Sequence, residues 1–249
     1  MRGIQRTIHV REGREFCFLE NSKVGKMFDA IAHRYDLLNH LLSGGIDVYW
    51  RWRTIRCLAG RRPRRILDVA TGTADLALAA LHAHPEEIVG VDISENMLAI
   101  GRKKIARKNA EQHITLQSGN AEQLPFQDAT FDAAMVAFGV RNFENLGRGL
   151  SEMHRILTVG GSVFVLEFSK PRSFPLKELY FFYFKHILPR IGGRISQDRA
   201  AYEYLPETVL KFPDGNDFIR LLEIAGFSRT TQTPMTFGIA TLYTGTKGE

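Results

Sequence analysis

Two acidic side chains, Asp68 and Asp92, lie in a pattern that points to a bound nucleoside. Asp68 belongs to the apolar run 66–70, which passes through the small residues 71–75 into a helical pattern. Asp92 ends a second apolar run, 88–92, further along the chain. Such runs are typical of buried parallel strands, and in doubly wound α/β folds a ligand lies across the carboxyl ends of the strands. The pattern predicts a cofactor whose ribose hydroxyls bind Asp92.

The turn after the first apolar run has a single glycine, Gly72, and an acid, Asp75, where the helix begins. A dinucleotide site needs G-x-G-x-x-G, because a pyrophosphate lies against bare backbone at a helix N-terminus, and an acid there would repel it. S-adenosylmethionine carries no phosphate, and we expect its amino-acid end over Gly72 with its ammonium group near Asp68. The missing glycines argue against a nicotinamide oxidoreductase. A plainer alternative is that Asp75 only caps a helix and Asp92 only ends a strand.

The elements that must position these acids alternate between strands and helices, which predicts a parallel sheet. The predicted strands are 66–70, 88–92, 114–117, 132–137 and 162–168, followed by a final hairpin over 226–244. The predicted helices are 23–60, 76–81, 94–109 with Ser94 as N-cap, 144–157 stopped by Gly160-Gly161, and 217–225. The order predicts an α/β, Rossmann-like fold of the class I S-adenosylmethionine-dependent methyltransferase type. Its seven-stranded sheet is mostly parallel and ends in an antiparallel hairpin, by fold analogy.

The chain is expected to form one domain with a cap and an insertion. The expected regions are a flexible basic extension over 1–22 and a single methyltransferase domain over 23–249, in which 23–62 form an N-terminal helical cap and 172–212 a helical insertion over the active site. The insertion contains the aromatic cluster 180–184. With Ile187 and Leu188, this cluster either lines a route for an apolar tail, contacts the bilayer, or packs within the insertion.

Charge and composition narrow the class of protein. The net charge of +6 is concentrated in residues 1–65, which hold 14 Lys and Arg against 6 Asp and Glu. The arginines over 51–65 are typical of a solvated helix face, with nucleic-acid or membrane contact as alternatives. Cys17 and Cys57 lack metal-ligand spacing and indicate a reducing compartment. Neither a membrane span nor a secretory segment is visible, so we expect a cytoplasmic protein without a metal site.

Six longer strings connect the chain to a known family. They are Tyr35-Asp36-Leu37-Leu38-Asn39, Leu42-Ser43-Gly44-Gly45 with Trp50, Asn120-Ala121-Glu122-Gln123-Leu124-Pro125-Phe126, Phe138-Gly139-Val140-Arg141-Asn142-Phe143, Arg155-Ile156-Leu157-Thr158-Val159-Gly160-Gly161 and Leu166-Glu167-Phe168-Ser169-Lys170-Pro171. From about Lys23 to Thr246 the chain resembles the quinone C-methyltransferases of menaquinone and ubiquinone biosynthesis. Gly-Val-Arg-Asn and Glu-Phe-Ser-Lys-Pro are far more specific than the turn near Gly72, which many methyltransferases share.

The resemblance implies S-adenosylmethionine-dependent methylation of a prenylated naphthoquinol, demethylmenaquinol, at a ring carbon. Residues 202–208 with Phe212-Pro213 are closer to the menaquinone branch, because ubiquinone-capable members usually carry His-Pro near that point. The alternative acceptor is 2-methoxy-6-polyprenyl-1,4-benzoquinol, from the ubiquinone route. A distant alternative is a basic nucleic-acid-binding module on the same fold. Our interpretation has no nucleic-acid partner, and it leaves peripheral membrane contact and a homodimer open.

The resemblance also assigns residues to the cofactor. The implied contacts are Thr73, Asp92, Asn120 and Ala121. The Asn120 amide suits the edge of adenine, and Ala121 supplies a backbone N–H. Two family features are not carried over. Where the family often has a serine that contacts the cofactor, this chain has Ala137. Where the family often has a histidine, three residues before Trp50, this chain has Asp47, which either accepts a proton in place of the histidine or is structural.

Carbon methylation needs residues that activate the acceptor. A ring carbon is a poor nucleophile, so the adjacent hydroxyl must lose or share its proton, and the phenolate needs a fixed donor. We expect Arg141, with Asn142 beside it, to stabilise that phenolate or orient a water; the alternative for Arg141 is a surface salt bridge. We expect Tyr35 and Asp36 to close the site from the N-terminal helices. His33 either titrates there or is structural.

Overall fold

The computed structural model describes Asp29, Ala32, Ser43 and residues 45–172, 174–182 and 207–248. Along these residues, helices alternate with strands. The helices are α1 (Ile46–Ala59), α2 (Asp75–Ala80), α3 (Glu95–Arg107), α4 (Leu146–Ile156), α5 (Leu176–Phe182) and α6 (Asn216–Ile224). The strands are β1 (Arg65–Val69), β2 (Glu87–Asp92), β3 (Ile114–Ser118), β4 (Phe131–Ala137), β5 (Leu157–Phe168), β6 (Phe227–Met235) and β7 (Ala240–Lys247). Single 3₁₀ turns lie at Leu81–Ala83, Val140–Asn142 and Thr236–Gly238.

The seven strands form one sheet in the order β3-β2-β1-β4-β5-β7-β6. β1 pairs in parallel with β2 and β4, β2 with β3, and β4 with β5, whereas β7 runs antiparallel to both β5 and β6. This topology confirms the predicted mostly parallel sheet and its terminal hairpin. The strand order reverses between β1 and β4, and in such sheets ligands bind beyond the carboxyl ends of the strands at that point.

Apolar side chains cover both faces of the sheet. Ile66 and Leu67, neighbours on β1, belong to separate buried clusters because successive side chains of a strand point to opposite faces. One cluster contains residues of α1, α2 and α3, and the other contains residues of α4 and α6. The sheet is therefore buried between two helical layers, which accounts for the continuous apolar runs of its parallel strands.

Two helices, α3 and α4, begin at side-chain caps, as expected for Ser94. The Ser94 hydroxyl accepts a hydrogen bond from the Met97 amide at 3.2 Å and begins α3. Asn145 does the same for α4, accepting from the Arg148 amide at 3.0 Å. Such caps satisfy amides that have no partner within the helix.

The predicted helix stop at Gly160-Gly161 is wrong. α4 ends at Ile156 and β5 begins at Leu157, so both glycines lie within the strand. The register between β4 and β5 shifts in this stretch, and Gly160 has a φ of 81°. The glycines form a β-bulge, where a left-handed residue is needed and glycine adopts it at least cost.

Part of the predicted insertion 172–212 lies within the described residues, as α5 and as helical residues 207–211. Tyr180 of α5 is buried, so this member of the aromatic cluster packs inward. The rest of the cluster beyond 182, with Ile187 and Leu188, lies outside the described residues, as does the extension 1–22. No helix in the described part of the chain is long and apolar enough to cross a membrane.

Candidate active site

The first turn, residues 70–74, joins β1 to α2 at the carboxyl edge of the sheet. The Thr71 amide donates a hydrogen bond to the Val91 carbonyl of neighbouring β2 at 3.0 Å. Ala70 and Ala74 have left-handed φ values of 52° and 66°, a conformation that costs an alanine about 1 kcal/mol. Strained backbone of this kind clusters at functional sites, which makes the first turn a candidate for ligand binding.

Asp92 links the first turn to the start of α3. Its Oδ2 accepts a hydrogen bond from the Gly72 amide at 2.8 Å, and its Oδ1 accepts from the Ser94 amide at 2.9 Å. Burial raises the pKa of the Asp92 carboxyl, and the two amide donors oppose that shift. A carboxylate oxygen can accept two hydrogen bonds, so Asp92 retains acceptor capacity for a ribose hydroxyl. The Ser94 hydroxyl also donates a hydrogen bond to the Asp29 carboxylate.

Asp68 lies beneath the first turn and is 1% exposed. Its Oδ2 accepts from the Thr71 hydroxyl at 2.6 Å, and its buried Oδ1 has no hydrogen-bond donor among the described residues. Burial raises the pKa of Asp68 to about 7, although the Thr71 hydroxyl lowers it. A buried acceptor without a donor fits an ammonium group or a water molecule on the ligand side. The assignment of Asp68 to the amino-acid end of the cofactor stays a prediction.

Gly90 of β2 makes room for the first turn. It pairs with Asp68 in the sheet, and a Cβ placed on it would lie 2.9 Å from Thr71 Oγ1 and 2.4 Å from Leu116 Cδ2. Both distances are shorter than van der Waals contact allows. The strand therefore needs glycine at this position for Thr71 to reach Asp68.

The acid at the start of α2 is balanced by two cations. Asp75 pairs with Lys104 of α3 at 2.6 Å and lies 3.8 Å from Arg51 of α1. Lys104 also donates to Thr73 Oγ1 at 2.9 Å. The negative charge that we expected to repel a pyrophosphate is thus compensated within the protein. The absence of further glycines in the first turn remains the stronger argument against a dinucleotide.

Asp47 is buried and its two carboxylate oxygens accept from two side chains. Oδ1 accepts from the Ser43 hydroxyl at 2.6 Å, and Oδ2 accepts from Arg51 at 2.5 Å. Asp47 and Arg51 are four residues apart on α1, where side chains lie on the same helix face. This geometry favours the structural alternative for Asp47.

Asn120 and Ala121 follow β3 and are partly exposed at the same edge of the sheet. The Asn120 carboxamide oxygen accepts from the Glu122 amide at 2.8 Å. That bond fixes the orientation of the carboxamide and leaves its NH₂ group as the donor end. An NH₂ donor and the Ala121 N–H both suit acceptor nitrogens such as those on the edge of adenine.

Arg141 and Glu167, which we call the buried arginine pair, lie at the carboxyl ends of β4 and β5. Arg141 Nη1 donates to Glu167 Oε1 at 2.7 Å and to the Phe138 carbonyl at 2.5 Å. The side chains are 4% and 0% exposed, so the pair is not the surface salt bridge of the alternative interpretation. Burial raises the pKa of Glu167, and the Arg141 charge opposes the shift. The buried Nε of Arg141 has no hydrogen-bond acceptor among the described residues.

Two further side chains border the buried arginine pair. The Asn142 amide lies 3.5 Å from the Phe138 carbonyl, to which it donates. Tyr180 of α5 comes close enough for the charges of Arg141 and Glu167 to act on its hydroxyl; burial raises its pKa and Arg141 opposes the rise. Helix α5 of the predicted insertion therefore lies near the buried arginine pair.

Some predicted site residues cannot be placed, and some observed ones were not predicted. Tyr35, Asp36 and His33 lie outside the described residues. Glu167 is part of one of the six family strings, but the sequence analysis gave it no role. Its ion pair with Arg141 depends on β4 and β5 being neighbours in the sheet, which the sequence does not show. The ion pair of Asp47 and Arg51 could have been predicted, because the two residues are four positions apart in a predicted helix. The described residues contain no group of three or more His, Cys, Asp or Glu that could hold a metal.

The chain is similar to a family model and to curated relatives along almost its whole length. The model of the ubiE/COQ5 methyltransferase family matches residues 17–247. A demethylmenaquinone methyltransferase of Bacteroides fragilis is 45% identical over 229 residues, which cover 92% of this chain and 94% of the relative. A ubiquinone/menaquinone biosynthesis C-methyltransferase UbiE of Geobacter sulfurreducens is 47% identical over 231 residues, which cover 92% of this chain and 90% of the relative.

Solved structures share the fold at low identity. An S-adenosylmethionine-dependent methyltransferase of Thermotoga maritima, described as a possible histamine N-methyltransferase, has a TM-score of 0.63 at 20% identity and covers 90% of this chain and 99% of its own. The [4+2]-cyclase SpnF has a TM-score of 0.64 at 17% identity, with coverages of 91% and 96%. These structures share the architecture while their names differ in chemistry, so the site and the family must decide the function.

Proposed function

The chain belongs to the ubiE/COQ5 methyltransferase family, and on that premise we propose that it transfers a methyl group from S-adenosylmethionine to a ring carbon of demethylmenaquinol, forming menaquinol. The observation that carries this proposal is the identity of 45% with the Bacteroides fragilis demethylmenaquinone methyltransferase, which extends over 92% of this chain and 94% of the relative. The buried arginine pair beside the first turn supplies the matching chemistry.

The proposed cofactor contacts divide by chemical group. Asp92 accepts from the ribose hydroxyls, Asp68 faces the ammonium group, and Gly72 and Thr73 border the amino-acid end. Asn120 and Ala121 donate to the edge of adenine. When bound, S-adenosylmethionine supplies a sulfonium methyl group that is electrophilic. The protein's part is to hold that group in line with the acceptor carbon, which provides much of the acceleration.

On the acceptor side, Arg141 is the proposed catalytic residue. The quinol hydroxyl loses its proton to solvent water, and the phenolate oxygen accepts a hydrogen bond from the Arg141 guanidinium while electron density moves to the ring carbon. That carbon forms its bond to the methyl group as the bond between methyl and sulfur breaks, and the ring C–H proton then leaves to solvent. Glu167 is a positioning residue, because its carboxylate fixes the guanidinium at 2.7 Å. A preorganised cation in a buried site stabilises developing charge far more than it would in water.

Asn142, Tyr35 and Asp36 complete the proposed catalytic set. Asn142 donates to the quinol oxygen next to Arg141. Tyr35 and Asp36 close the site from the N-terminal segment, and the contact of Asp29 of that segment with Ser94, beside Asp92, supports this placement. A prenylated acceptor resides in the bilayer, so the enzyme works in the cytoplasm at the membrane surface.

A second acceptor has its own support. The relative from Geobacter sulfurreducens, at 47% identity, carries a name that joins the ubiquinone and menaquinone routes.

Methyl transfer from labelled S-adenosylmethionine is measured with a short-tailed demethylmenaquinol and, in parallel, with a methoxy-benzoquinol. We expect transfer to the naphthoquinol at the higher kcat/KM. Transfer to neither quinol would refute the proposed function, and transfer to the benzoquinol alone would replace its substrate.

A further inference from the structure

The outward side of α1 presents large apolar side chains to solvent. Val48, Tyr49 and Trp52 are 56%, 47% and 48% exposed, whereas residues on the opposite side of the helix are buried. The rings of Tyr49 and Trp52 stack with their centroids 6.0 Å apart. Grouped apolar side chains of this kind on a surface typically mark an interaction site.

The same surface is uniformly basic. Four exposed arginines belong to this helix or follow it directly: Arg53 and Arg56 on α1, and Arg61 and Arg62 just after its end. None of the four forms an ion pair with a described residue, and the acid of α1, Asp47, is buried on the other side of the helix. The Arg56 guanidinium lies 4.9 Å from the centroid of the Trp52 ring. We call these four arginines, with Val48, Tyr49 and Trp52, the α1 outer face.

The inner side of α1 packs near the candidate site. Arg51 reaches towards Asp75 at the start of α2. Trp50 Nε1 donates to Thr236 Oγ1 at 2.7 Å, which ties α1 to the turn between β6 and β7. On that turn Phe237 is 75% exposed. Helix α1 therefore lies beside the edge of the sheet where the first turn and the buried arginine pair are found, with its outer face directed to solvent.

We infer that the α1 outer face docks on the surface of an anionic lipid bilayer. Tryptophan and tyrosine rings settle at the headgroup level of a membrane, and arginine side chains extend along apolar surface to reach lipid phosphates. A cluster of arginines without acids is the charge complement of an anionic leaflet. The inference rests on the proposed function, because an enzyme that methylates a prenylated quinol must take that substrate from the bilayer.

A second copy of this chain does not suit the same face. In a two-fold dimer the patch would meet itself, which would bring arginines against arginines with no acid between them. The anionic bilayer is therefore the occupant that matches both the rings and the charges.

The first test is vesicle binding by the full-length chain, without substrate. The chain is co-sedimented with mixed phosphatidylcholine and phosphatidylglycerol vesicles, and with phosphatidylcholine vesicles alone. We expect binding to the anionic vesicles that weakens roughly thirtyfold in Arg53→Gln/Arg56→Gln, since each arginine near such a surface contributes roughly fivefold. The matched control is Arg107→Gln/Lys108→Gln, which removes the same charge from the exposed end of α3 and should bind almost as the parent does.

The second test uses the two tryptophans as internal probes. Trp50 is 1% exposed and Trp52 is 48% exposed, so brominated lipids should quench part of the fluorescence only. In Trp52→Phe the remaining emission should be insensitive to the brominated lipids. Cofactor binding by each variant confirms that it is folded.

Three results would overturn the inference. They are absence of sedimentation, equal losses in the control variant, and lipid quenching that survives in Trp52→Phe. A vesicle-free dimer that dissociates in Arg53→Gln/Arg56→Gln would instead assign the face to a second copy. Failure of the membrane inference can be told apart from failure of the proposed function. Methyl transfer to a water-soluble short-tailed quinol is measured without vesicles, and it should not change in these variants.

Discussion

The proposed cofactor side of the site and the proposed acceptor side hold their charged groups in different ways. On the cofactor side, Asp92 is fixed by the amides of Gly72 and Ser94, which are neutral backbone donors. On the acceptor side, Arg141 is fixed by Glu167, a full counter-charge that is completely buried. An acid held by amides keeps its charge available for a ligand. A cation held by a buried carboxylate is oriented more strongly, but neither partner tolerates the loss of the other.

The largest expected effect comes from breaking the acceptor side. Arg141→Ala should lower kcat by about 10²- to 10³-fold, because a preorganised donor to the developing phenolate is lost, while the affinity for S-adenosylmethionine stays near that of the parent. Steady-state kinetics and cofactor titration measure the two quantities. An unchanged kcat would remove Arg141 from the mechanism.

The same variant leaves Glu167 buried and uncompensated, which should cost about 3–5 kcal/mol in the free energy of unfolding. The control is Arg141→Ala/Glu167→Gln, in which the buried charge is removed as well. Denaturant unfolding should show part of the stability restored, with kcat still low. If kcat returned with stability, the role of Arg141 would be structural only.

Breaking the cofactor side should affect binding instead of turnover. Asp92→Asn should weaken the affinity for S-adenosylmethionine about a hundredfold, because the amide replaces charge-assisted acceptance from the ribose hydroxyls. Isothermal titration measures the change. Asp132→Asn is the matched control, since Asp132 accepts from the Arg64 and Arg65 amides at the other edge of the sheet. Equal losses in both variants would contradict the assignment of Asp92.

Gly90→Ala tests how closely the first turn packs on β2. The added Cβ meets Thr71 and Leu116 below contact distance, so we expect a loss of about 1–3 kcal/mol in unfolding free energy, with weaker cofactor binding. Gly147→Ala in α4 is the control, because its nearest neighbouring atom lies 3.6 Å away. Equal stability of the two variants would show that Thr71 moves freely.

The smallest expected effect is a pH dependence of cofactor affinity, which tests the proposed role of Asp68. Its folded pKa of about 7 lies above the unfolded value, so its contribution to stability is present below about pH 4 and is lost as the pH rises through about 7. Binding an ammonium group requires the ionised form, so cofactor affinity should rise roughly fivefold from about pH 6 to about pH 7. Asp68→Asn should remove that rise in a titration series. A persistent rise would assign it to another group.

The arrangement of the first turn at the carboxyl edge of the sheet was predictable from the sequence because it is local. Asp68, Gly72 and Asp92 lie within one strand–helix–strand unit, and such units have one handedness and one binding edge. The family strings also predicted the correct family, since the family model matches residues 17–247. The cofactor and catalytic assignments to individual residues remain predictions.

The errors of the sequence interpretation arose where two distant segments decide one feature. Gly160-Gly161 was assigned to a helix stop, because the need for a bulge depends on the pairing of β5 with β4. The charge of Asp75 was treated as uncompensated, because Lys104 and Arg51 reach it from two other helices. Local patterns report propensity, and they contain no information on which cation lies across a helix interface.

The sequence by itself determined the family, the alternation of strands and helices, and the edge of the sheet where the acids gather, because these depend on short-range spacing and on buried apolar runs. Only the tertiary structure decided that Arg141 is buried against Glu167 and that Asp47 is held by Ser43 and Arg51. It also decided that the rings and arginines of α1 share one exposed face. Partner choice and burial depend on which elements pack together, and packing is a property of the whole chain.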